Sequence, residues 1–120
     1  MAYRYFTEIE FRRALPSCSL SQMDSDFMER LEYARSMSDC PFIVNSAFRT
    51  VEYELAHNRS GSSSHCKGLA VDLHCISDRA RCTIVKCLLR AGFRRIGIAK
   101  TFIHVDYDKS KNDAIWLYDK

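Results

Sequence analysis

The chain is organised around residues 63–72, SSHCKGLAVD, and residues 102–106, FIHVD, which follow them in the sequence. The two segments offer three metal-binding groups, namely the imidazoles of His65 and His104 and the carboxylate of Asp72. Three nitrogen or oxygen ligands, with the fourth position left to water, are typical of a catalytic zinc site. The two segments therefore predict a site for one zinc ion.

Alternating side chains place these groups on strands. In residues 69–75 every second side chain is apolar, so Asp72 and His74 are expected together on the other face of a strand. Gly68 allows the backbone to turn between the first histidine and this strand. The histidine and the aspartate of the FIHVD segment are two residues apart and also share a face. Two such strands, side by side, would direct the three ligands at one ion.

Other histidines and cysteines are competing candidates for metal binding. His74 shares the strand face of Asp72, so it is either a rival ligand or a group that hydrogen-bonds to a ligand. Cys66 directly follows His65, and adjacent side chains diverge, which disfavours it as a ligand. His57 is expected to be an exposed residue of a short helix. The six cysteines form no C-x-x-C pair, and buried, reduced thiols are expected.

Length and composition indicate one globular domain, residues 1–120, with 47% hydrophobic and 28% charged residues. No apolar run approaches the roughly 18 residues of a membrane helix, and the N-terminal residues lack the apolar core of a signal peptide. We therefore expect a monomer that is made in the cytoplasm and has no membrane partner.

The charge balance argues against a nucleic-acid partner. The net charge is only +3, which is too small to indicate nucleic-acid binding by itself. Basic residues concentrate in residues 79–95, where a solvated helix face is expected. The alternative is that this segment attracts the protein to an anionic polymer such as the bacterial cell wall.

Hydrophobic periodicity and capping residues predict an α+β fold. A helix capped by Ser21 or Asp24 is expected to run to about residue 37, and further helices capped by Thr50 and Ser77 are expected over residues 51–57 and 78–91. Strands are expected over residues 42–45, 69–75, 95–99, 101–108 and 114–118. This order predicts a mainly antiparallel sheet with helices packed on one face. Ahead of the first helix, five side chains are expected to anchor the chain on the core: Tyr3, Tyr5, Phe6, Ile9 and Phe11.

Three motifs in order resemble a known family. The pattern S-x-H-x-x-G-x-A-x-D over residues 63–72, followed by H-x-D over residues 104–106, resembles the zinc peptidases of the D-alanyl-D-alanine carboxypeptidase family, the M15 group. That group includes phage endolysins and bacterial D,D-dipeptidases, and its metal fold is shared by the Hedgehog signalling domain. Residues 45–50, NSAFRT, resemble the family's arginine motif. The similarity covers residues 42–108.

The resemblance implies a set of roles for individual residues. It implies that His65, Asp72 and His104 bind zinc. It further implies that Arg49 binds a substrate carboxylate or carbonyl with its planar guanidinium, and that Ser63 supports the site by hydrogen bonding. A structural salt bridge is the alternative for the arginine. The implied reaction is amide hydrolysis in a peptidoglycan stem peptide, by a D,D-carboxypeptidase or endopeptidase that reaches the cell wall after phage lysis or from the virion.

One position departs from the family pattern. Many members carry a glutamate, the general base, three residues before the final histidine, where this chain has Thr101. Asp106 is the predicted base, because it shares a strand face with His104. The alternative is that Asp106 orients His104, and Asp108 is the second candidate for the base. The missing glutamate also leaves open a zinc-binding domain without catalysis. A small nucleic-acid-binding domain is the third hypothesis.

Overall fold

The computed structural model describes residues 3–118, and within them it contains four α-helices and five strands. The helices are α1 (Glu8–Arg12), α2 (Ser25–Ser36), α3 (Val51–Ala56) and α4 (Asp78–Arg90). The strands are β1 (Val44–Ser46), β2 (Ala70–His74), β3 (Arg95–Ile98), β4 (Phe102–Asp106) and β5 (Ala114–Leu117). Two 3₁₀ helices span Leu20–Gln22 and Ser64–Lys67. The predicted order of elements is confirmed, apart from α1 and the 3₁₀ helices, which were not predicted.

Polar side chains determine where the main helices begin. Asp24 accepts a hydrogen bond from the backbone N–H of Phe27, and Thr50 and Ser77 cap α3 and α4 in the same way. The caps satisfy N–H groups that lack a partner in the first turn of a helix. Beyond α4 the backbone of Gly92 has a φ of 95°, which favours glycine. The predicted caps are therefore confirmed.

The N-terminal segment differs from the prediction. Thr7 caps the short helix α1, and the rings of Phe6 and Phe11 are buried with their centroids 6.5 Å apart. Ile9 is 60% exposed, so its predicted role as an anchor is wrong. The physical reason is the helix itself, because residues two positions apart point to nearly opposite sides of it.

The sheet has the strand order β1-β2-β4-β3-β5. Neighbouring strands are antiparallel except for β5, which pairs in parallel with β3. The predicted α+β class with a mainly antiparallel sheet is confirmed. β2 and β4 lie side by side near the middle of the sheet, so the two strands that carry the predicted ligands are direct neighbours.

One face of the sheet forms the core together with α2 and α4. Val71, Val105 and Ile96 pair across β2, β4 and β3, and all three are fully buried. Phe27 of α2 and Leu88 of α4 belong to the same buried cluster. Since successive strand residues point to opposite faces, the row of residues next to this apolar row lies on the other side of the sheet.

All six cysteines are free thiols. Burial raises the pKa of Cys18, Cys75 and Cys87, which keeps these thiols protonated at neutral pH. Buried, reduced thiols were predicted; burial is wrong for Cys82, which is exposed, and only partial for Cys40 and Cys66. Within residues 3–118, no helix is long and apolar enough to cross a membrane.

Candidate metal centre

One row of paired residues crosses the sheet on the face opposite the core. Antiparallel pairing places Asp72 of β2 opposite His104 of β4, and His104 opposite Gly97 of β3. The row continues to Ser46 on β1 and to Trp116 on β5. Two of the predicted ligands are therefore direct neighbours across a strand pair.

The third predicted ligand, His65, reaches this row from the 3₁₀ helix Ser64–Lys67. The hydroxyl of Ser63 accepts a hydrogen bond from the backbone N–H of His65 at 3.1 Å. Gly68 then ends the helix with a φ of 70°. A Cβ atom at Gly68 would collide with the backbone carbonyl oxygen of Gln22, so this turn requires glycine both for its dihedral and for its space.

The imidazole of His65 is held in one tautomer. It is 1% exposed, and its Nδ1 lies 2.7 Å from the carbonyl oxygen of Ala47. Because a carbonyl can only accept, Nδ1 carries the proton and Nε2 of the neutral ring presents a lone pair. Among residues 3–118 this Nε2 has no hydrogen-bond partner; it is buried, 3.3 Å from Oδ1 of Asp72. A lone pair and a carboxylate that face each other in a buried site fit a cation between them.

His104 is held on both sides by carboxylates. Its Nδ1 lies 3.0 Å from Oδ1 of Asp72, and its Nε2 lies 2.8 Å from Oδ2 of Asp106. Burial would lower the pKa of His104, but the hydrogen bonds with the two carboxylates outweigh it and raise the pKa. Burial would likewise raise the pKa of Asp72, but His104 and His65 outweigh it and hold the pKa below its usual range. Asp72 is therefore a charged ligand at neutral pH.

The three donor atoms converge. Metal-binding atoms of His65, Asp72 and His104 lie within 4.8 Å of one another, and Oδ1 of Asp72 is 3.0 Å from Nδ1 of His104 and 3.3 Å from Nε2 of His65. Two donor atoms that each lie about 2 Å from a tetrahedral zinc ion are about 3.3 Å apart, so the distances from Asp72 to the two histidines fit a zinc ion. The three residues form a group that can hold a metal ion. His74 is exposed at the end of β2, opposite Phe102, and lies outside this group.

Asp106 lies behind His104. Its carboxylate is 1% exposed, and Oδ1 accepts hydrogen bonds from Nε of Arg95 at 2.8 Å and from the backbone N–H of Asp108 at 3.2 Å. Burial would raise its pKa, but the hydrogen bond with His104 and the charge of Arg95 contribute to lowering it. Both oxygens are thus engaged. These contacts fit the alternative role of Asp106, in which it orients His104. They do not support the role of general base, which stays a prediction.

Asp108 also holds the metal-binding segment. Its carboxylate accepts hydrogen bonds from the hydroxyl of Ser64 at 2.8 Å and from Nζ of Lys67 at 3.0 Å. Asp108 is 3% exposed. Together with Asp106 it lines a cavity of about 310 Å³. Asp108 therefore ties the 3₁₀ helix that carries His65 to the loop after β4.

A cavity of about 390 Å³ opens in front of the three donors. Arg49 and Ser63, the predicted substrate-binding residues, both line it. The backbone N–H of Arg49 donates to the carbonyl oxygen of His65 at 3.2 Å, and its Nε lies 3.7 Å from Oε2 of Glu54. The structure therefore places both residues beside the metal-binding group.

The cavity also contains residues that the sequence did not reveal. Glu54, Arg59, Phe102 and Tyr118 line it. The signal available for Glu54 was weak, because α3 has only six residues and shows no clear apolar face. Tyr118 could be placed only once the pairing partner of β5 was known.

Trp116 lies against His104 because β3 has a glycine between them. The ring centroids of Trp116 and His104 are 5.4 Å apart, and Cζ of Arg95 lies 4.9 Å from the centre of the indole ring. A Cβ atom at Gly97 would come within 2.7 Å of the indole ring and of Tyr118. The missing side chain thus allows the indole to cross β3 and contact the second histidine.

Comparison with known proteins agrees with this geometry. No curated protein matches the chain. A family model described as peptidase M15 matches residues 6–106, a segment that includes His65, Asp72, His104 and Arg49. The match spans most of the 120 residues, and the resemblance inferred from the motifs is confirmed. The chain belongs to the peptidase M15 family.

Proposed function

We propose that the chain is a zinc-dependent peptidase that hydrolyses an amide bond in peptidoglycan stem peptides, as a D,D-carboxypeptidase or an endopeptidase. Family membership supports a peptidase. One observation carries the zinc proposal: the buried Nε2 of His65 has no hydrogen-bond partner in the described part of the chain, and it lies 3.3 Å from the carboxylate of Asp72. Two nitrogens and one carboxylate oxygen are a donor set that suits catalytic zinc.

The residues around the three donors would have separate roles in the reaction. Zinc held by His65, Asp72 and His104 would supply Lewis-acid polarisation of the scissile carbonyl and an activated water. Arg49 would bind the carboxylate or carbonyl of the peptide and position it, since this residue lines the same cavity. Asp106 would keep the Nε2–H of His104 directed away from the cavity, so that Nδ1 stays available as a ligand.

The remaining cavity wall suits a peptide. Phe102 and Tyr118 line it, with ring centroids 5.1 Å apart, and offer apolar surface to the substrate. We propose that the substrate lies in the bacterial cell wall, which the protein reaches after phage lysis or from the virion.

A zinc-binding domain without catalysis is the second candidate, and one observation favours it. The position of the family's glutamate is occupied by the exposed Thr101, and both oxygens of Asp106 are already engaged. Such a domain would use zinc for stability or for binding a partner.

Digestion of purified peptidoglycan, with zinc quantified in the same samples, tests the proposal. The variants are His65→Ala and, as a matched control, His74→Ala, which removes an exposed histidine outside the donor group. We expect about one zinc per chain and release of peptide fragments for wild type and His74→Ala, and loss of both for His65→Ala. A wild-type protein that holds zinc but cuts no stem peptide would favour the second candidate. Cleavage that survives in His65→Ala would contradict the proposal.

A further inference from the structure

A pair of arginines shares one buried carboxylate on the wall of the cavity. Oε2 of Glu54 accepts a hydrogen bond from Nε of Arg59 at 2.8 Å, and Nε of Arg49 lies 3.7 Å from the same oxygen. The side chain of Glu54 is 1% exposed, whereas that of Arg59 is 45% exposed. All three residues line the cavity in front of the metal-binding group.

The two guanidiniums leave one positive charge uncompensated. Two arginine charges against one glutamate charge leave a net charge of +1 on this wall. Within residues 3–118, each guanidinium contacts Glu54 through its Nε atom, and no hydrogen bond to the protein engages its Nη atoms. A guanidinium that presents two parallel N–H groups matches the geometry of a carboxylate.

Arg59 is fixed in place well enough to act as a binding group. Its backbone N–H donates to the carbonyl oxygen of Glu54 at 2.9 Å, and its Cζ lies 5.8 Å from the ring centre of Tyr53. The side chain is therefore held at its base next to α3, and it is half-exposed where it lines the cavity. Holding the group in advance reduces the entropy that ligand binding would otherwise cost.

We infer that Arg59 binds a second anionic group of the substrate, in addition to the group bound by Arg49, so that the preferred substrate is a peptide with an acidic residue beside the scissile bond. This inference rests on the proposed peptidase function of the same cavity. Glu54 acts as a positioning residue, because it holds both guanidiniums at one wall and prevents their mutual repulsion from separating them.

Binding of two matched small acids tests the inference without turnover. Calorimetry on the zinc-loaded protein compares glutarate, which has two carboxylates, with glutaramate, in which one of them is an amide. We expect wild type to bind glutarate about tenfold more tightly, since one charge-assisted contact is lost with the amide. Arg59→Gln is expected to lose this preference, whereas Arg59→Lys, which keeps the charge, retains part of it. Arg12→Gln, which removes an exposed arginine of α1, controls for net charge and should bind like wild type.

Cleavage of a peptide pair separates this inference from the proposed function. The two peptides differ only in Glu or Gln beside the scissile bond. We expect wild type to show the higher kcat/KM on the Glu peptide, and the ratio of the two kcat/KM values to fall towards one in Arg59→Gln.

Three results have distinct meanings. A preference for the acidic ligand and peptide that persists in Arg59→Gln would overturn the inference and leave the peptidase proposal intact. An equal loss on both peptides would make Arg59 a structural residue and also overturn it. A wild-type protein that cuts neither peptide nor peptidoglycan contradicts the peptidase proposal, and in that case the calorimetry alone decides the role of Arg59.

Discussion

Oδ2 of Asp106 lies 2.8 Å from Nε2 of His104, on the side of the imidazole opposite the carboxylate of Asp72. Arg95 donates to the other oxygen of Asp106, so the three side chains form a chain that leads away from the metal-binding group. A carboxylate in this place fixes the orientation of a metal-binding histidine and increases its basicity as a ligand. The contact therefore connects Asp106 to metal affinity.

Asp106→Ala is expected to weaken zinc binding by about 10- to 100-fold, because His104 loses the partner that orients its ring. Competition with a chromophoric chelator measures the affinity. Asp106→Asn keeps an oxygen that can accept from Nε2–H and should lose less. If Asp106 were instead the general base, both variants would bind zinc like wild type and lose only hydrolysis. Circular dichroism confirms that the variants are folded.

Gly97→Ala is expected to displace Trp116 from His104, since the added Cβ atom would come within 2.7 Å of the indole ring. Overpacking of this kind costs about 1–3 kcal/mol of the free energy of unfolding. Trp116 is the only tryptophan, so tryptophan emission reports the surroundings of this one ring. Trp116→Phe provides a smaller ring, and the double variant should be less destabilised than the sum of the two single changes. Unchanged emission and stability of Gly97→Ala would contradict the packing described here.

The placement of the metal-binding residues follows from local sequence patterns. Side chains on a strand alternate with a period of two, so the positions of Asp72 and His104 determine which face they occupy. Gly68 marked the turn before β2, and capping residues marked the starts of α3 and α4. These features depend on residues close together in the chain.

The remaining parts of the site depend on contacts between distant segments. Trp116 reaches His104 only because β5 pairs in parallel with β3, and its sequence carries no signal for that partner. Glu54 lies on a six-residue helix, where periodicity is uninformative, and its position becomes clear only from its ion pair with Arg59. Asp106 offered two roles at the same spacing, and its contacts with His104 and Arg95, which favour the orienting role, could not be predicted from the sequence.

Gly68→Ala is expected to destabilise the protein more than Gly92→Ala. Both glycines have a positive φ, which costs about 1–2 kcal/mol for other residues. At Gly92 an added Cβ atom meets the end of the flexible side chain of Arg30, whereas at Gly68 it meets backbone atoms of residues 22–24. Urea unfolding measures both variants. Gly68→Ala should also bind zinc more weakly, because it shifts His65, and Gly92→Ala should not. Equal effects of the two substitutions would contradict this account.

The carboxylate of Asp108 is expected to make stability depend on pH in the acidic range. Burial would raise its pKa, but hydrogen bonds from Ser110, Lys67 and Ser64 outweigh burial and hold the pKa well below its usual value of about 3.9. A carboxyl with a lower pKa in the folded state stabilises the fold fully above its unfolded pKa, and this contribution decreases progressively as the pH falls below about 4 towards the folded pKa. Wild type should therefore have a higher Tm than Asp108→Asn at pH 7, and the difference should shrink towards pH 3.

Asp113→Asn, which removes an exposed carboxylate of the same loop, controls for net charge and should show no such trend. A difference between wild type and Asp108→Asn that stays constant down to pH 3 would show that shape rather than charge matters at this position. Both proteins are measured with a chelator present, so that metal release at low pH does not contribute.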